Sequence, residues 1–182
     1  MGLQKKITLQ SMVRDFKRSP AHAATLSWLA NPATSNTAGY SSMVSSFNQF
    51  QYDISNNVYS TYTKPLDNSP SKINDLSAAS TDLSASPVRV VVILPDGTVQ
   101  YDSSKSINTN TIANVGATIG ENHNSRQVFM KAFLGAQGTI AYESKWSKTD
   151  GKFEEGAAIA LGADGESTLG AIRFTVLAPI TN

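Results

Sequence analysis

An α+β fold is what this sequence predicts: N-terminal helices followed by a five-stranded antiparallel sheet with one connecting helix, in the order β-β-α-β-β-β. Three observations predict it. Apolar residues recur at three- and four-residue steps up to about residue 62. From Val88 the period changes to that of strands, with β-branched runs. The runs after residue 139 are separated by tight Gly-containing turns, which make consecutive strands antiparallel neighbours.

The elements follow in order. Leu3, Ile7, Met12, Val13 and Phe16 have helical spacing over residues 3–18, with no Gly or Pro between them. Ser19-Pro20 breaks that helix, and a short one is expected from Ala21 to Ala30, ended by Asn31-Pro32. A long helix is expected over residues 38–62, on a stripe of Tyr40, Met43, Val44, Phe47, Phe50, Ile54 and Val58. Residues 63–87, rich in Ser, Asp, Asn and Ala, read as a linker. Val88 to Leu94 reads as a buried strand. Pro95-Asp96-Gly97 turns the chain, and Thr98 to Asp102 completes a hairpin. Residues 122–134 read as a helix stopped by Gly135. Strands are expected over 139–146, 155–161 and 168–177. The domain reading is a basic helical extension over residues 1–37 and a single domain over 38–182, with its sheet core at 88–177. The long helix is the expected cover for one sheet face.

Composition narrows the function classes. The net charge of +1 gives no global field for nucleic acid, so none is expected as a partner. The charge is uneven: Lys5, Lys6, Arg14, Lys17 and Arg18 face only Asp15 in the first 22 residues. The N-terminal helix therefore has a basic side that could meet a membrane or an acidic protein, though a solvated face explains it as well. There is no cysteine, so disulfides and thiol chemistry are excluded. The two histidines, His22 and His123, are far apart in sequence, and no metal or other cofactor is expected. No Gly-x-Ser-x-Gly elbow, Walker loop or Gly-x-Gly-x-x-Gly occurs, and Glu154-Glu155 would point to opposite faces of a strand. No catalytic residue is assigned, and the chain is expected not to be an enzyme.

Three segments carry a resemblance. They are "VRVVVILPDGTVQYDSS", "NHNSRQVFMKAFLGAQG" and "AIALGADGESTLGAIRFTV". In that order and spacing they resemble the opening hairpin, connecting helix and closing strands of the Cache/PAS-like extracytoplasmic sensor superfamily. The resemblance covers about residues 88–177 together with the preceding long helix. It implies a non-catalytic module for sensing or binding a small organic ligand, used in signal transduction. The implied pocket lies between the sheet and residues 103–135. Arg126 matches the helix-start arginine of the family and Phe129 its aromatic. A guanidinium at 126 could clamp a carboxylate. Tyr101, Asp102, His123, Tyr142 and Trp146 are the further candidates for the pocket wall. Neither the aromatic-Arg-aromatic nor the Arg-x-x-His-Pro signature of the ligand-typed subgroups is present, so no ligand class carries over.

The Ser/Thr/Asn/Ala-rich composition supports an alternative from another class. It is a structural or assembly protein that uses the same fold, such as a minor capsid or virion component. Under either reading a protein partner, or self-association through the N-terminal helices, is expected.

Overall fold

The computed structural model describes residues 3–55, 88–103, 127–135, 138–147, 152–162 and 168–176. Among these residues the order is α1 (Leu3–Arg18), α2 (Pro20–Ala30), α3 (Thr37–Ser55), β1 (Val88–Ile93), β2 (Val99–Asp102), α4 (Gln127–Leu134), β3 (Ala141–Ser147), β4 (Lys152–Leu161) and β5 (Gly170–Val176). The fold class is the one expected: N-terminal helices, then a five-stranded antiparallel sheet with one connecting helix. The expected linker, the last turn or two of the long helix after residue 55, and residues 122–126 of the connecting helix lie outside the described residues.

Local chemistry explains the boundaries. The Ser19 hydroxyl donates to the Phe16 carbonyl at 2.7 Å, closing α1, and Pro20 opens α2 where its missing N–H costs nothing. Asn36 caps α3: its Oδ1 accepts the Gly39 N–H at 3.2 Å, three residues into the helix. The β1–β2 turn is held by Gly97 N–H to Leu94 O (2.9 Å) and Leu94 N–H to Thr98 O (3.0 Å). Gly97 sits at φ 90°, a region that a side chain would strain.

The sheet order is β2-β1-β5-β4-β3. The expected hairpin and the three consecutive antiparallel strands that close the sequence are thus joined through β1 and β5, with Val88 opposite Val176 and Ile93 opposite Ala171. Sequence spacing could not show that pairing, because it joins residues some eighty positions apart. One irregularity interrupts the ladder. Val92 pairs with Tyr101 and Ile93 with Val99, leaving Gln100 as an extra residue. Its side chain is used: Gln100 Oε1 accepts the indole N–H of Trp28 at 3.1 Å, so the bulge anchors α2.

Both faces of the sheet are covered. Val90, Val92, Tyr101, Ala157, Ile159, Leu161, Ile172 and Phe174 pack against Leu9, Met12, Phe16, Trp28, Tyr40, Met43, Phe47 and Phe50 of α1–α3. The alternate residues, Val91, Ile93, Val99, Ala141, Ala158 and Ala171, pack against Val128, Phe129 and Ala132 of α4. Within the segment expected from sequence to be an extension, residues between Leu9 and Leu29 supply core side chains alongside α3. Over residues 9–18 of α1, the exposed positions are Gln10, Arg14, Lys17 and Arg18, three of them basic. Over this stretch the apolar stripe is consumed inside the molecule and the basic side faces outward. No helix among the described residues is long and apolar enough to cross a membrane.

The core holds two deeply placed tyrosines. Burial pushes the Tyr40 phenol up to about 12. It pushes Tyr101 further in the same direction, helped by the neighbouring Tyr40 and Asp102. Folded, both stay protonated where unfolded tyrosine ionises, near pH 10. Stability is therefore expected to fall as pH rises through 10, by on the order of 2 kcal/mol by pH 11. Urea midpoints at pH 9 and 11 measure this, and Tyr101→Phe should remove a substantial share of the fall. An unchanged midpoint across that window would mean that the phenols are solvated.

Candidate functional site

Strand alternation decides which side chains can meet. On β5, Ile172 and Phe174 belong to the α1–α3 face, so Ala171, Arg173 and Thr175 belong to the α4 face. The same parity puts Arg89 and Val91 of β1, Gly156 and Ala158 of β4, and Ala141 and Glu143 of β3 on the α4 face. Asp102 joins them as the register partner of Val91. Two adjacent rows then cross the sheet. One runs Asp102, Val91, Arg173, Ala158, Ala141; the other runs Arg89, Thr175, Gly156, Glu143. The α4 face is therefore apolar near Ile93, Val99 and Ala171, and polar at the end that carries Arg89, Arg173 and Thr175.

The polar end contains two ion pairs. Arg89 grips Asp102 with two parallel bonds, Nε to Oδ1 at 3.0 Å and Nη2 to Oδ2 at 2.7 Å. Planar guanidinium against planar carboxylate is the strongest geometry such a pair has. The Asp102 side chain is fully buried in it. Arg173, also fully buried, pairs with Glu143 two strands away. That reach depends on Gly156. A Cβ there would lie 3.2 Å from Arg173 Nε and 3.5 Å from Nη2, so the guanidinium occupies space that any side chain at 156 would crowd. Thr175 is buried beside them, and its hydroxyl has no hydrogen-bond partner among the described residues.

The residues expected from sequence fall into three groups. Asp102 and Phe129 lie on the α4 face, Asp102 in the Arg89 pair and Phe129 fully buried beneath the helix. Tyr101 and Tyr142 do not join them, because alternation turns both towards α1–α3. Tyr101 stacks on Phe47 with centroids 5.1 Å apart and planes within 7°. Tyr142 packs against the helical core, where burial raises its phenol and Gln10 of α1 offers a hydrogen bond. Trp146 stands opposite Phe153 in the β3–β4 register, and its side chain is outside the described residues. Arg126 and His123 also lie outside them.

Arg89, Glu143, Arg173 and Thr175 were not among the expected residues. A signal for two of them was present: "VRVVVI" and "AIRFTV" each place one arginine inside an otherwise apolar strand. A separate cavity of about 240 Å³ opens on the helical side, between the α1–α2 corner and α3. It is lined by Ser19, Pro20, Ser45, Ser46, Gln49, Phe50 and Asp53.

No known protein family matches the chain. No curated protein matches it. Among solved structures it is similar to a crystal structure of a C-terminal domain from Streptococcus mutans, at 18% identity over 51% of this chain and 77% of that one, with a TM-score of 0.34. A likeness of that size carries no argument, and the polar row across the sheet has to be interpreted on its own chemistry.

Proposed function

We propose that this chain is a non-catalytic Cache/PAS-like module that binds a small polar organic ligand on the α4 face of its sheet. The observation that carries the proposal is the fully buried Arg173, beside Glu143 and the hydroxyl of Thr175, which has no hydrogen-bond partner among the described residues. A buried ion pair contributes little net stability, and well-packed apolar residues would serve as well or better. A buried hydroxyl without a partner costs about 1–3 kcal/mol. A fold that keeps both in one place is paying for something other than stability. A ligand with a donor or acceptor group would satisfy Thr175 and share the Arg173–Glu143 pair. The β-β-α-β-β-β order on which the resemblance rests supports the same reading.

One observation favours a structural or assembly role instead. Both guanidiniums are already matched by carboxylates, so the row is charge-balanced without a ligand. Ligand-observed NMR with a panel of small carboxylates, amides and polyols distinguishes the two. A ligand-binding module gives binders whose signals are lost in Thr175→Val, and whose binding raises the melting temperature. No binder at millimolar concentration would sink the ligand reading and leave the structural one.

A further inference from the structure

The sheet ends on β3, a seven-residue strand whose one strand neighbour among the described residues is β4. The opposite edge, β2, has only four residues. An unpaired edge presents a row of backbone N–H and C=O groups to any strand that fits. We infer that β3 pairs antiparallel with β3 of a second copy of this chain, about a two-fold axis at Ser144.

The order of residues along β3 selects that partner and that register. The strand reads Ala141-Tyr142-Glu143-Ser144-Lys145-Trp146-Ser147. Centred on Ser144, self-pairing sets Glu143 of each copy opposite Lys145 of the other, and Tyr142 opposite Trp146. Opposite charges and paired aromatics are the cross-strand combinations that stabilise a sheet. Moving the axis one residue towards the N-terminus sets Glu143 opposite Glu143. Moving it one residue the other way sets Lys145 opposite Lys145. Both put like charges directly across the ladder. The registers between these bring the α1–α3 face of one copy level with the α4 face of the other, because the side-chain period is two. The Ser144 register alone, among those near the strand's centre, keeps each face continuous and every charge matched.

Position 144 is also open to a neighbour. Ser144 is exposed, and its hydroxyl donates to Glu155 Oε1 of its own β4 at 3.1 Å. Glu143 keeps 20% of its side chain exposed while pairing with Arg173, so a second cation can approach it. Charges on edge strands also serve to keep proteins apart. If that were their use here, the protein would stay a monomer, and the mirrored order of the two charges would be without consequence. Pairing of this kind differs from self-association through the N-terminal helices, and it does not depend on the ligand proposal.

Sedimentation equilibrium on the full chain tests the inference. The expected result is a monomer–dimer equilibrium that Lys145→Glu weakens by about tenfold or more and Lys145→Arg leaves intact. The chain contains no cysteine, so a single introduced thiol reports its own surroundings. Ser144→Cys should give a covalent dimer with a short bismaleimide, whereas Tyr52→Cys, exposed on α3, should not. Circular dichroism establishes that each variant is folded. A monomer at every concentration overturns the inference. So does a dimer that is indifferent to Lys145→Glu and shows no preference for cross-linking at 144.

Discussion

Replacing Glu143 by leucine is expected to destabilise the protein by about 3–5 kcal/mol, because it leaves the Arg173 guanidinium charged and without its carboxylate in the interior. Removing the arginine instead, as Arg173→Met, strands a carboxylate that is still 20% exposed and can recover some hydration, so the cost should be smaller. The double replacement Arg173→Met with Glu143→Leu removes both charges, and apolar side chains of similar reach fill the space beside Gly156. Its stability is expected within about 1–2 kcal/mol of the parent protein, or above it. Urea unfolding of the four proteins measures the cycle, whose coupling energy should be at least about 2 kcal/mol. Additive single effects would show that the two groups do not share a buried site. The double variant also bears on function. If the pair serves a ligand, a protein restored to full stability will have lost its binders.

Phe16→Ala is expected to cost a similar amount, about 3–5 kcal/mol, for a different reason. Phe16 joins every layer on the helical side. Its ring stacks on Phe47 of α3 at 5.9 Å and meets Phe50 of α3, Phe174 of β5 and His22 of α2 edge-on at 6.1, 5.3 and 5.4 Å. Truncation opens a cavity bounded by four elements, none of which can collapse into it without leaving the others. For a domain of this size the melting temperature should fall by roughly 2–4 °C per kcal/mol, so by about 6–20 °C. Leu134→Ala, at a side chain 85% exposed on α4, is the control and should change stability by less than about 0.5 kcal/mol. A loss below about 1 kcal/mol for Phe16→Ala would mean that α1 is not docked on the sheet.

Phe16, Arg173 and Glu143 illustrate what is legible in the sequence and what is not. Phe16 could be read from the sequence as part of an apolar stripe, since Met12, Val13 and Phe16 share helical spacing. Its contact with Phe174, more than 150 residues away, could not. Arg173 and Glu143 gave even less. Each is one charged residue in a strand, and nothing local says that they meet across Gly156. Tyr101 and Asp102 are adjacent in sequence and are expected from it to line one pocket, yet adjacency in a strand sends them to opposite faces.

The elements themselves follow from local sequence. The switch from helical to strand period at Val88 and the Pro-Asp-Gly turn are local signals, and local backbone preferences answer them. How the elements share faces depends on long-range packing. The pairing of β1 with β5 joins the two parts of the sheet, and alternation along that ladder then assigns Phe174 to the helical core and Arg173 to the polar row. Hydrogen-bond register between distant strands carries that information, and no window of neighbouring residues contains it.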